Sequence, residues 1–202
     1  MQPFTTLTAA AVPLDLVNVD TDRIVPARFL RRPRSEGYQK FLFHDLRVAD
    51  PDFVLDRAEY AGAKILVAAE NFGCGSSREA AVWALAGAGL RAWIAPSFGD
   101  IFFENSFKNG ALAIVLPLDR VAMLREQLKA CPGAQVSIDL AAQTVAFPDG
   151  SVERFEVDAF RKECLLAGID EIELTLRHAD AIAEYEARAA AQSPWLFRPA
   201  LR

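Results

Sequence analysis

Apolar residues in the first half of the chain come in short unbroken runs separated by turn residues. Lys64-Ile65-Leu66-Val67-Ala68-Ala69, bounded by Gly62 and Asn71, reads as a strand buried on both faces. Ala92-Trp93-Ile94-Ala95, stopped by Pro96, and Ala111 to Leu116 predict two more. Between them, Arg78 to Leu90 carries Ala80, Ala81, Ala84, Leu85 and Ala88 as a small apolar face, with Gly89 as its stop, and predicts a helix. Phe98 to Asn109 predicts a short helix whose Phe98, Phe102, Phe103 and Phe107 suit a core better than a cofactor box. Leu118 to Ala130 reads as an amphipathic helix closed by Pro132-Gly133. Strand, helix and strand at these lengths imply parallel strands joined by right-handed crossovers. Upstream, a short strand is expected near Leu14–Val17, then a polar turn, Asn18-Val19-Asp20-Thr21-Asp22, before Ile24-Val25-Pro26.

Beyond Gly133 the period changes to two. Val136–Leu140 and Val152–Val157 alternate, and Pro148-Asp149-Gly150 separates Thr144–Phe147 from the second of these, which predicts an antiparallel hairpin. Asp158 suits the cap of a helix running to Ala167, with Gly168 ending it. Residues 171–191 read as one further helix, followed by an irregular Pro194-Trp195-Leu196-Phe197 tail. The class is α/β, with a mixed sheet containing a parallel crossover and an antiparallel hairpin.

Composition narrows the function. The 202 residues are 52% hydrophobic and 24% charged, globular in balance and enough for one domain with a core. A net charge of −5 gives nucleic-acid binding no electrostatic footing. No apolar run is long enough to span a membrane, and the N-terminal stretch lacks the basic residues of a signal peptide. The three cysteines, Cys74, Cys131 and Cys164, are scattered and odd in number, so a disulfide framework is not expected and a cytoplasmic setting is. They also lack the spacing to hold zinc or an iron–sulfur cluster in this chain. Residues 28–40, with Arg28, Arg31, Arg32, Arg34 and Lys40 interrupted by Pro33 and Gly37, form a basic loop expected to be mobile, or simply a solvated surface.

The segment with most chemistry is Gly73-Cys74-Gly75-Ser76-Ser77-Arg78-Glu79, between a strand and a helix. Its glycines permit positive φ and close backbone approach. Ser76 and Ser77 lie where unpaired helix amides and the helix dipole favour an anion, and Arg78 adds a permanent charge suited to a carboxylate. Neither a dinucleotide fingerprint, nor a P-loop, nor a nucleophile elbow fits these positions. Three readings follow from the residues alone. The turn binds a carboxylate, phosphate or alkoxide in catalysis; it binds such an anion without catalysis; or Ser76 caps the helix in a box with Glu79. Cys74 as a nucleophile with His44 or His178 as base is a further alternative, less favoured than a packed thiol. His44 itself suits a structural hydrogen bond.

Three segments in order carry a family resemblance: Asn18 to Pro26, Asn71 to Glu79, and Ala95-Pro96-Ser97-Phe98-Gly99-Asp100-Ile101-Phe102-Phe103-Glu104-Asn105-Ser106-Phe107. Together with Phe160-Arg161-Lys162 to Asp170-Glu171-Ile172, they resemble the small subunit of 3-isopropylmalate dehydratase. That subunit is similar to the swivelling C-terminal domain of aconitase. The resemblance implies a single swivelling β/β/α domain over residues 1–202, with 28–40 as substrate-specificity loop and 171–202 as C-terminal helix and tail. It implies a heteromeric hydro-lyase of leucine biosynthesis, active only with a large subunit. That partner carries the [4Fe-4S] cluster, the Lewis acid for the leaving hydroxyl. Ser76 is implied as the catalytic base, and Ser77, Arg78, Thr21, Asp22 and the loop arginines Arg31, Arg32 and Arg34 as substrate-binding residues. No metal ligand is implied in this chain. The substrate is a small hydroxy acid. Ala80, Val82, Ala111, Ala113 and residues 31–38 depart from the usual pattern of the family, so methylmalate, citraconate or homoaconitate types stay open beside isopropylmalate.

Overall fold

The computed structural model describes residues 1–197. Its spine is a seven-stranded mixed sheet in the order β4-β3-β2-β1-β5-β6-β7. β1 (Thr6–Leu14) leads through α1 (Thr21–Ile24), the 28–40 segment and α2 (His44–Ala49) to β2 (Ile65–Ala68). Then follow α3 (Glu79–Gly87), β3 (Ala92–Ala95), α4 (Asp100–Lys108), β4 (Leu112–Val115) and α5 (Leu118–Ala130). β1 to β4 are parallel, as the crossover pattern predicts. Every residue of β2 and β3 is buried, which is why their sequences do not alternate.

β5 (Gln135–Asp139), β6 (Thr144–Ala146) and β7 (Val152–Arg154) form the antiparallel half, and the expected hairpin is β6–β7. α6 (Ala159–Ala167) begins at Asp158, whose carboxylate accepts from the Arg161 amide, and ends on Gly168 at φ +69°. α7 (Glu171–Leu176) and α8 (Ala179–Gln192) complete the described chain with a turn at Pro194–Phe197. Among the described residues no helix is long and apolar enough to cross a membrane.

Three expectations are corrected. The first strand lies at Thr6–Leu14, not Leu14–Val17, because its N-terminal half pairs antiparallel with β5 and its C-terminal half parallel with β2. The predicted 171–191 helix is two helices, α7 and α8, broken at Arg177-His178. The 28–40 segment is not wholly irregular: short 3-10 turns at Ala27–Phe29, Arg34–Glu36 and Tyr38–Phe41 fold it over α3. Tyr38 is buried there, donates to the carbonyls of Leu30 and Arg32, and meets Trp83 of α3 edge-on.

Candidate active site

Three loops leave the C-terminal ends of neighbouring parallel strands and are knitted together by backbone bonds. After β1, Asn18 at φ +52° donates to Glu70 O, and Val19 O accepts from Gly73 N at 2.7 Å. After β2, Asn71 at φ +58° donates from Nδ2 to Asn18 Oδ1. After β3, Ser97 accepts from the amides of Asn71 and Phe72, and Gly99 N donates to Phe72 O. Asn is the side chain that best tolerates left-handed backbone after Gly. The crevice beyond the carboxyl ends of parallel strands is where α/β sheets place ligands.

Glycines decide how close these loops come. A Cβ on Gly73, at φ +73°, would lie 2.2 Å from the Phe102 ring. A Cβ on Gly99 would lie 2.5 Å from Gly73 O. Phe102 meets Phe72 edge-on and stacks with Phe98 beneath the turn, so the phenylalanines of α4 are packing residues, as their spacing suggests.

The turn above them presents Gly75, Ser76 and Ser77 to solvent. α3 starts at Glu79 with Arg78 as its N-cap residue in extended backbone, and no side chain caps it. The capping-box reading of Ser76 therefore fails: Glu79 is the first helical residue rather than the third, and its carboxylate accepts from Asn109 Nδ2 at 2.8 Å. The Ala81 amide donates to Arg78 O, while those of Glu79 and Ala80 make no hydrogen bond among the described residues, with the positive end of the helix dipole behind them.

α1 supplies the second wall. Asp20 bridges Cys74, and the Thr21 amide donates to Cys74 O at 2.9 Å. Thr21 is buried, and its hydroxyl donates to Ser76 O at 2.8 Å. Through this bond the buried Thr21 holds the turn from beneath. Asp22 pairs with Arg78, whose side chain is mostly buried, and also accepts from the Ala27 amide. The Arg78 guanidinium holds the Asp22 carboxyl below the usual carboxylate range, against a smaller opposing effect of burial. Because the folded value lies below the unfolded one, the pair contributes stability above about pH 4 and loses it as pH falls through the folded value. Asp22 is half exposed, so the contribution is small. In thermal melts, the deficit of Asp22→Asn relative to the unmodified chain is expected to shrink toward zero below about pH 4; a deficit constant down to pH 2 would refute the linkage.

Arg31, Arg32 and Arg34 are exposed, and among the described residues none bonds to the Ser76 turn. Arg34 lies over the Trp83 ring at 4.4 Å. At the head of this loop Arg28 pairs with Asp45 and depresses its carboxyl, while His44 Nδ1 sits 3.0 Å from the same carboxylate. His44 is thus a structural partner. Cys74 is no activated thiol: burial, then the charge of Asp20, push its pKa up.

Sequence reasoning missed Asn18, Asn71 and Gly99 as the joints of the site. The signal was present in the Asn and Gly residues at turns flanking the strands. Among the described residues no three His, Cys, Asp or Glu side chains group as a metal site, and the cysteines lie apart on the turn, at the end of α5 and in α6.

Residues 1–119 match the model of the aconitase C-terminal domain. Residues 122–159 match a model described as LeuD_N, and residues 171–199 match that of the C-terminal domain of the 3-isopropylmalate dehydratase small subunit. The crystal structure of a 3-isopropylmalate dehydratase from Methanocaldococcus jannaschii is similar over 89% of this chain and 99% of that one, at 28% identity and a TM-score of 0.67.

Proposed function

We propose that this chain, which belongs to the aconitase C-terminal domain family, is the small subunit of a 3-isopropylmalate dehydratase, acting in leucine biosynthesis. The observation that carries this is the Ser76 turn: exposed hydroxyls before an uncapped helix, with an arginine fixed beside them. The matches to both small-subunit models and to the Methanocaldococcus jannaschii enzyme support the same reading.

The whole chain is read as one swivelling domain, with 28–40 as its specificity segment. Ser76 is the base that takes a proton from the carbon next to a substrate carboxylate. Serine is a weak base unless its alkoxide is stabilised, and the amides of α3 with the nearby Arg78 charge supply that. Ser77 and Arg78 hold the carboxylate, and Asp22 orients Arg78 through their ion pair. Thr21 positions Ser76 through its backbone carbonyl. Arg31 and Arg32 face the variable arm of the substrate, while Arg34 braces the loop on Trp83. The [4Fe-4S] cluster is assigned to the large subunit; among the described residues Cys74, Cys131 and Cys164 lie on separate elements. The free thiols Cys74, Cys131 and Cys164 fit a reducing cytoplasm.

The test is co-expression with a cluster-bearing large subunit and assay over 2-hydroxy di- and tricarboxylates. The lone chain is expected to be inert, and the pair to turn over 3-isopropylmalate fastest. Preference for methylmalate, citraconate or homoaconitate would move the substrate within the class, as the departures at Ala80, Ala111 and Ala113 allow. A stable pair inactive on the whole panel would overturn the reading. Thr21→Val is expected to lower kcat about tenfold with KM little changed, and to cost about 1 kcal/mol in stability for the lost buried hydrogen bond. An unchanged kcat would remove Thr21 from the positioning role.

A further inference from the structure

The C-terminal arm is a helical extension that packs on almost nothing. Neither α7 nor α8 has a buried residue, and the Pro194–Phe197 turn is the one element with which α8 makes substantial contact among the described residues. The base of the arm is tied down by polar contacts, Lys108 to Glu171 at 3.0 Å and the Met1 ammonium to Glu173 at 3.7 Å. Yet its surface is not that of a solvated helix. Ile172, Leu176, Tyr185, Trp195 and Leu196 are each more than 60% exposed. Ile182, Tyr185 and Ala189 fall on one face at i, i+3 and i+7, opposite Asp180 and Glu184. A 14-residue helix without packing is marginal in water. A pocket of about 620 Å³ opens at the foot of the arm, walled by Phe107, Phe160, Ile169 and Leu174.

Charge says what covers this face. Glu171, Glu173, Asp180, Glu184 and Glu186 outweigh Arg177 and Arg188, so two copies laid arm to arm would oppose like charges. The arm also coincides with residues 171–199, the segment matched by the model specific to the small subunit, and lies outside the shared aconitase C-terminal match. A domain encoded apart from its catalytic partner needs an attachment of its own. We infer that residues 171–197 are the docking arm for the large subunit, seating the Ile182–Tyr185 face in an apolar groove rimmed by Lys or Arg. This rests on the small-subunit reading above.

The test measures association by calorimetry and by hydrogen exchange, using the full chain and the purified large subunit. Amides of α8 are expected to exchange readily in the lone chain and at least tenfold more slowly in the complex, by order of magnitude. Ile182→Glu with Tyr185→Glu is expected to weaken binding about 100-fold by placing charges in an apolar contact. The melting temperature of the lone chain is expected to stay unchanged, since neither side chain is packed. Added salt is expected to weaken the unmodified complex, and Ser76→Ala is expected to bind like the unmodified chain. The inference is overturned if the double variant binds with unaltered affinity while the unmodified pair forms. It is also overturned if the same variant dissolves a homodimer of this chain and leaves the complex intact. No binding by the unmodified chain overturns the small-subunit reading as well, which separates the two failures.

Discussion

Ser76→Ala is expected to reduce kcat of the assembled enzyme by roughly 10²–10⁴-fold, the usual range for loss of a positioned general base. The side chain is exposed and makes no cap bond to α3, so removing its hydroxyl creates no cavity and orphans no buried group. The melting temperature should therefore stay within a degree or so of the parent, by the same reasoning that keeps surface substitutions near ±0.5 kcal/mol. The carbonyl of Ser76, which receives the Thr21 hydroxyl, is untouched by the change. Substrate binding through Ser77 and Arg78 should survive, so KM moves little and nearly all the loss falls on kcat. Steady-state kinetics of the complex beside a thermal melt decides it. Residual turnover within tenfold of the parent would mean another group takes the proton.

Gly73→Ala should have the opposite character, a structural collapse with catalysis lost as a consequence. The methyl group would stand 2.2 Å from Phe102 Cγ, and the backbone at φ +73° disfavours any L side chain. Phe102 has no room to yield, being buried, edge-on to Phe72 and stacked with Phe98. Overpacking and the unfavourable backbone together should cost about 3 kcal/mol or more. Urea unfolding would report this as a midpoint shift at constant m-value. Gly62, by contrast, has positive φ but open space around it, so Gly62→Ala should cost only about 1 kcal/mol for its backbone. Equal losses at the two positions would show that φ alone, and not the Phe102 contact, governs the turn.

What could be read from the sequence divides along physical lines. β2 and β3, buried throughout, and β4, buried but for Val115, were legible because strands covered on both faces leave unbroken apolar runs bounded by turn residues. Asp158 and Gly168 were legible because caps are local chemistry. The first strand was misjudged because Thr6–Ala10 is only half buried and its partner, β5, lies far along the chain. The break between α7 and α8 carries no Gly or Pro, and helices with nothing buried lack a face to read. At the site, Gly73 to Arg78 was legible as a glycine-rich turn leading from a strand into a helix. The role of Thr21 was hidden, since a short run of sequence does not reveal which carbonyl a buried hydroxyl will meet.

The position of β1 in the middle of the sheet has a consequence for how the protein is made. It emerges before both of its neighbours, and its two halves wait for different partners: Ala11–Leu14 for β2 and Thr6–Ala10 for β5. The second cannot form until residue 139 has been synthesised. Until then the nascent chain holds an apolar edge without a mate, and closing that gap is slow, because distant pairing carries a large loop entropy. Rapid synthesis in a foreign host, outrunning that closure, favours clumping of incomplete chains through the bare rim of β1.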